Sequence, residues 1–114
     1  MHEVSLAQNV LSIVEEAALR DKFTQVSEIS ISIGKLAGVE IDSFIFALEN
    51  LGKGTILNNT RILITQPDAS ANCQTCAHEF TINERWQSCP NCQSNDIKIT
   101  DGLQLKIIDL IVRD

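Results

Sequence analysis

Residues 73–92 read CQTCAHEFTINERWQSCPNC. Two Cys-x-x-Cys pairs, Cys73/Cys76 and Cys89/Cys92, stand twelve residues apart. That spacing is the mark of a zinc ribbon. Each pair closes a tight turn, or knuckle, that aims two sulfurs and a few backbone N–H groups at one point. Two facing knuckles make a tetrahedron of four thiolates. Such a donor set leaves no open coordination position, so the site reads as structural rather than catalytic, with Zn²⁺ well ahead of Fe. Four buried free thiols would need surrounding aliphatics that the segment lacks. Two disulfides would need an oxidising compartment. Gln93 follows the last Cys where many such turns carry Gly, so the second knuckle has to accept a side chain there at some strain. His78 lies two residues past Cys76 and reads as a solvent-facing loop histidine rather than a ligand. Phe80 and Trp86 read as a small cover over the ribbon.

The surroundings of the quartet decide the architecture. Residues 67–96 hold all four cysteines and both prolines but few aliphatics. A segment so poor in apolar side chains cannot build a core alone, so the metal has to hold it. The flanks are different. Over residues 4–20, Val4, Ala7, Val10, Leu11, Val14, Ala17 and Ala18 recur at spacings of three and four, one apolar helix stripe. Over 26–33 the period becomes two: Ile29, Ile31 and Ile33 alternate with Ser30 and Ser32, a strand with one buried face. Asp42 reads as the N-cap of a second helix whose inner face is Phe44, Ile45, Leu48 and Leu51, closed by Gly52 and Gly54. Residues 61–66 alternate again around Ile62 and Ile64. A C-terminal strand over 103–112 carries Leu103, Leu105 and Ile107 on one face, with Ile108 out of phase, which calls for a bulge or burial on both faces. The expected fold is α+β: two helices packed on a small mixed β-sheet, with a zinc-ribbon insert before the last strand. The domains are 1–66 with 97–114, and the ribbon at 67–96.

Charge and hydropathy remove several function classes. Fifteen acidic against nine basic residues give a net charge of −6. Nucleic-acid binding needs clustered Lys and Arg, and residues 73–92 offer only Arg85 against Glu79 and Glu84. No apolar run approaches the roughly 20 residues of a membrane helix. Glu3, Glu15 and Glu16 fall where a secretory signal allows no acid, which places the protein in the cytoplasm, where thiols stay reduced. No nucleophile and base, phosphate loop or open metal triad is visible, so no enzymatic activity is expected.

Met1-His2-Glu3 is a second constellation. With a free α-amine, a histidine at position two can bind one metal through the amine, its own amide nitrogen and its imidazole, in fused chelate rings. A fourth donor, such as the Glu3 amide or a carboxylate, completes a plane suited to Ni(II) or Cu(II). The bulky second residue normally protects Met1 from removal. Taken alone, an early histidine is more often part of a frayed terminus. Here Val4 opens a helix at once, so the terminus is held.

The start Met1-His2-Glu3-Val4-Ser5-Leu6, the run Ile31-Ser-Ile-Gly34-Lys-Leu-Ala-Gly38-Val39-Glu40, the two knuckles and Asp101-Gly102-Leu103-Gln104-Leu105 follow in one order. With that order and spacing the chain resembles, over its whole length, the HypA/HybF family of hydrogenase maturation factors. The resemblance implies a nickel metallochaperone that helps insert Ni(II) into the large subunit of [NiFe]-hydrogenase, working with a HypB-type GTPase. Urease accessory proteins are further partners in some members. It implies nickel ligation by His2, Glu3 and the Met1 backbone amine, with Glu40 as an additional acidic donor. It also implies zinc ligation by Cys73, Cys76, Cys89 and Cys92. Gln93 is the departure from the family's pattern and touches knuckle geometry, not the metal. The rival reading is a zinc-ribbon adaptor that recruits proteins and carries no metal. The oligomeric state stays open, since a C-terminal strand can pair or swap between copies and make a homodimer.

Overall fold

The computed structural model describes residues 2–113. Its elements are α1 (His2–Asp21), β1 (Gln25–Ile33), α2 (Ile41–Gly52), β2 (Arg61–Thr65), β3 (Ala69–Cys73), β4 (Glu79–Ile82), β5 (Ile97–Asp101) and β6 (Leu105–Arg113). The strands form two three-stranded sheets, ordered β2-β1-β6 and β4-β3-β5. The chain divides into two compact units, one of residues 1–31, 39–64 and 107–114, the other of residues 32–38 and 65–106.

In the first unit α1 buries Ala7, Val10 and Val14, three members of its apolar stripe. Glu3 in its first turn and Arg20 in its last complement the helix dipole. Lys22, at φ 58, turns the chain out of the helix in the left-handed conformation common after a helix end. β1 then buries Val26, Ile29 and Ile31. β6 runs antiparallel to β1: Thr24 N–H donates to Arg113 O at 2.9 Å and Ser27 Oγ to Ile111 O at 3.1 Å. The helix α2 packs against α1 and buries Phe44, Ala47, Leu48 and Gly52. Each fully buried Val, Leu, Ile or Phe stabilises the unit by about 1.5–3 kcal/mol, so α1, β1 and α2 hold one another. The cap of α2 is Glu40, not Asp42. Glu40 is extended (φ −80, ψ 109) and its carboxylate accepts from the Ser43 N–H at 3.3 Å. Asp42 lies inside the first turn, where it complements the dipole without capping.

The second unit has a small core of Ala69, Ala71 and Ile82, with Leu36, Phe80, Ile97 and Ile99 packed against it. Its central strand β3 is antiparallel to both neighbours, with Ala71 opposite Phe80 and opposite Ile99. Leu36, Ile97 and Ile99 come from outside 67–96, so the cysteine-rich segment does not complete its core alone. β3 and β4 lie within residues 67–96, and β5 follows directly after them. Trp86 does not cover this core: it is 78% exposed, and Leu36, Phe80, Ile97 and Ile99 take the place expected of it. Leu103 stands outside the last strand and is partly exposed.

Candidate metal centre

Cys73 ends β3, and Cys76 lies in the turn that follows; Cys89 and Cys92 lie in the loop between β4 and β5. Their four Sγ atoms lie within 4.8 Å of one another. Cys73 Sγ is 3.5 Å from Cys92 Sγ, and Cys76 Sγ is 3.7 Å from Cys89 Sγ. Both separations are far longer than the roughly 2.05 Å of a disulfide. A tetrahedral ion with metal–sulfur bonds of about 2.3 Å has sulfur–sulfur edges of about 3.8 Å. The quartet therefore fits a four-coordinate ion with all-thiolate ligation. Cys73 and Cys89 are buried, while Cys76 and Cys92 face solvent.

The two knuckles repeat one backbone pattern. Ala77 N–H donates to Cys73 O and Gln93 N–H to Cys89 O, both at 2.9 Å. Cys73 N–H donates to His78 O and Cys89 N–H to Ser94 O, again both at 2.9 Å. Ala77 and Gln93 both take left-handed backbone, φ 64 and 66. Gln93 thus adopts the glycine-favouring conformation that its place in the motif implied, and Ala77 shares it. Thr75 Oγ1 and Ser94 Oγ join the knuckles at 2.9 Å.

Donors aimed at sulfur tune the thiols. The Asn91 side-chain amide donates to Cys76 Sγ at 3.5 Å, and this bond, with the His78 N–H, lowers the Cys76 pKa to about 6. The Cys76 N–H, 3.4 Å from Cys73 Sγ, lowers Cys73. At Cys92 the Ser94 N–H acts downward, but burial and three neighbouring thiols outweigh it and push the pKa up to about 12. Four thiolates this close repel one another, so full ionisation requires a cation among them. Asn91 also donates its backbone N–H to Cys89 Sγ at 3.4 Å.

At the other candidate site, His2 begins α1 and its side chain is 59% exposed. Its Nδ1 is 3.8 Å from Glu3 Oε2. Glu3 Oε2 in turn accepts the Glu40 N–H at 3.2 Å, and that bond is the main cause holding the Glu3 carboxyl below its ordinary value. The structure so brings His2, Glu3 and the Glu40 backbone together. The Glu40 carboxylate itself turns to Ser43. Met1 lies outside the described residues. Among the described residues the cysteine quartet is the one group of three or more His, Cys, Asp or Glu side chains able to meet on a common ion.

A family model described as hydrogenase/urease nickel incorporation, metallochaperone, hypA, matches residues 1–112. This chain belongs to the HypA family. The hydrogenase maturation factor HypA of Polaromonas naphthalenivorans is 37% identical over 114 residues, which are 100% of this chain and 99% of that protein. The HypA of Cupriavidus necator is likewise 37% identical over 114 residues, 100% of this chain and 96% of its own. The solution structure of the Ni metallochaperone HypA from Helicobacter pylori has the same fold, with a TM-score of 0.73 at 20% identity over 97% of each chain.

In this HypA-family chain the sequence alone missed three contributors. Asn91 lies inside the second knuckle, but nothing in C-P-N-C says that its side chain reaches across to Cys76. The resemblance offers Glu40 as an additional acidic donor, whereas its N–H is the group that fixes Glu3. Ser94 closes the second knuckle through backbone and hydroxyl, a role open to most residues in part and so without a sequence signal. Among the described residues His78 joins no metal cluster: it is exposed and stacks on Phe80, ring centroids 6.0 Å apart.

Proposed function

We propose that this chain carries Ni(II) on its N-terminal Met1-His2-Glu3 and helps insert it into the large subunit of [NiFe]-hydrogenase. It works in the cytoplasm with a HypB-type GTPase and catalyses no reaction of its own. Zn(II), held by Cys73, Cys76, Cys89 and Cys92, is structural, and the all-thiolate donor set suits it. Residues 1–31, 39–64 and 107–114 would then be the nickel-carrying part and the cysteine-bearing unit the ribbon.

The observation that carries this reading is the arrangement at the start of α1 in a chain matched by the family over residues 1–112. His2 is exposed at a helix start, where backbone N–H groups have no intrahelical acceptor. An amide nitrogen there can ligate a metal without breaking a helix bond. His2, Glu3 and Glu40 do not converge as a side-chain cage, which is what a chelate built on backbone nitrogens leaves unneeded. Glu3, held ionised by the Glu40 N–H, places negative charge beside the imidazole. Glu40 caps α2 through its carboxylate, so any metal role of that group competes with the cap.

Nickel titration of the zinc-loaded protein with its native Met1, by calorimetry and visible absorption, tests the reading. One tight Ni(II) per chain is expected, lost in His2→Ala with zinc retained. Loss in a variant extended before Met1 places the α-amine in the coordination sphere. Unchanged binding in His2→Ala overturns the proposal and favours the zinc-ribbon adaptor.

A further inference from the structure

The two knuckles match residue for residue, Cys73-Gln74-Thr75-Cys76-Ala77-His78 against Cys89-Pro90-Asn91-Cys92-Gln93-Ser94. Their backbone hydrogen bonds match as well, each at 2.9 Å. So do the backbone donors at the second sulfurs: Cys76 Sγ meets the His78 N–H and Cys92 Sγ the Ser94 N–H. Cys76 and Cys92 are both exposed, while Cys73 and Cys89 are both buried. The symmetry breaks at the matching positions Thr75 and Asn91. Thr75 Oγ1 pairs with a hydroxyl, Ser94 Oγ, at 2.9 Å. Asn91 instead reaches across to the first knuckle, where its Nδ2 donates to Cys76 Sγ at 3.5 Å, while its own N–H donates to Cys89 Sγ at 3.4 Å. Among the described residues no side-chain amide or hydroxyl bonds to Cys92 Sγ, whose side-chain neighbour is Cys73 Sγ at 3.5 Å.

We infer that Cys92 is the modification site of the quartet, the thiolate that soft carbon electrophiles attack first, and that Asn91 is the positioning residue that withholds Cys76 from them. The thiolate is the nucleophile in such reactions. A hydrogen bond to it draws electron density from sulfur, and bonds to a charged acceptor are roughly twice as strong as neutral ones. The bond also has to break before sulfur can turn that lone pair to an incoming carbon. Burial removes Cys73 and Cys89 from the competition. Two exposed thiolates remain with equivalent backbone donors, and one of them carries an amide donor besides. The sulfur with fewer donors is the more reactive. With an alkyl halide the step is a displacement: the Cys92 sulfur forms the new S–C bond, the carbon–halogen bond breaks, and halide leaves with its electron pair. The inference rests on the quartet holding zinc, since the cation is what keeps all four sulfurs ionised together.

The test uses the zinc-loaded full chain. Its metal is counted first, by release with an organomercurial and a zinc-sensitive dye. The chain then meets a limiting amount of iodoacetamide, and the adducts are located by peptide mass spectrometry. Cys92 is expected to react about fivefold faster than Cys76, the rate equivalent of one hydrogen bond. Asn91→Leu keeps the bulk of the side chain and the backbone N–H but removes the amide, and is expected to raise the Cys76 rate about fivefold, level with Cys92. Thr75→Val removes the matching side chain's bond to Ser94, which bears on no sulfur, and is expected to leave both rates within about twofold. That pair of variants separates a bond to sulfur from a general loosening of the knuckles. The order in the unaltered chain needs no variant, so the inference is tested even if Asn91→Leu holds zinc poorly. Cys76 reacting as fast as Cys92 or faster in the unaltered chain, or an equal rise at Cys76 in Thr75→Val and Asn91→Leu, would overturn it. A chain found to hold no zinc would overturn the reading of the quartet as well.

Discussion

Replacing Gly102 by Ala tests a tight backbone approach in the second unit. Gly102 sits at φ +96, outside the region that L-residues populate, and an added Cβ would lie 2.5 Å from both Cα and Cβ of Ala69. Neither neighbour can retreat freely. Ala69 is paired with Ile82 in β3, and Gly102 O accepts the Leu36 N–H at 3.0 Å. The strained backbone costs about 1–3 kcal/mol. Forcing a methyl into filled space costs about 1–3 kcal/mol more. The stiffer unfolded chain returns roughly 0.4–1 kcal/mol. The net destabilisation is about 1–5.5 kcal/mol, a large share of the roughly 5–15 kcal/mol that holds a whole domain. Two further variants separate the contributions. Gly38→Ala has φ +74 with nothing within 4 Å, so it carries only the backbone cost. In Gly34→Ala no positive φ is involved, and the new methyl meets the backbone of Gly102, so it carries only the overlap. Native-state hydrogen exchange of zinc-loaded protein, read at the Leu36 and Gly34 amides, gives the local cost of each. The reasoning is refuted if Gly102→Ala costs no more than Gly38→Ala within about 0.5 kcal/mol.

Three other outcomes are expected. Ala77→Gly and Gln93→Gly each relieve left-handed backbone that costs an L-residue about 1–2 kcal/mol, against about 0.5–1 kcal/mol of extra glycine entropy. Each should therefore leave zinc affinity equal or a few-fold higher in chelator competition, and weaker binding in both would show that the side chains contribute there. Stripping zinc with a strong chelator should melt β4-β3-β5, whose buried cluster is only Ala69, Ala71 and Ile82, while the α1 amides stay protected. Retained protection of β3 after metal removal would contradict that. The Glu3 carboxyl is held below the ordinary 4.5 by the Glu40 N–H. Because its folded value is depressed, its stabilising bond is present above 4.5 and is lost as pH falls through the lower folded value. A carboxyl-carbon NMR titration with a midpoint at or above 4.5 would refute it.

The parts of the fold that were legible are those with large side chains at a regular period. Val10 and Val14 on α1, and Ile29, Ile31 and Ile33 on β1, announced themselves because each buries enough area to leave a hydropathy pattern. The β3 strand did not, although it alternates as cleanly. Its buried residues are Ala69, Ala71 and Cys73, too small and too few to register as an apolar face. The cysteine quartet was readable because ligand spacing is itself local. Its tuning was not, since the Asn91 amide reaches Cys76 across fifteen residues. The cap of α2 was misplaced by two residues. Asp is the stronger N-cap by preference, but a Glu whose backbone is extended and whose carboxylate reaches the Ser43 N–H performs the same task.

The two metals of the proposed function ask for opposite properties, and the chain's own chemistry separates them. At the quartet two sulfurs are buried, several N–H groups point at sulfur, and both knuckles are cross-braced by Thr75 and Ser94. An ion leaving such a set abandons several thiolates to mutual repulsion in one step, so exchange is slow. In the nickel site proposed at the start of α1 the donors would be backbone nitrogens and one exposed imidazole. The helix N-terminus carries partial positive charge, which opposes a dication there and favours a deprotonated amide. Glu3 offsets part of that repulsion, and the Glu40 N–H keeps it charged while holding its carboxylate to the protein. A partner's ligand can replace the imidazole first without disturbing any core residue. Removing the Glu3 charge by Glu3→Gln should therefore speed nickel loss to a chelator while leaving zinc and the α1 amides unchanged. Equal nickel off-rates in Glu3→Gln and wild type would show that the carboxylate has no part in holding the cargo.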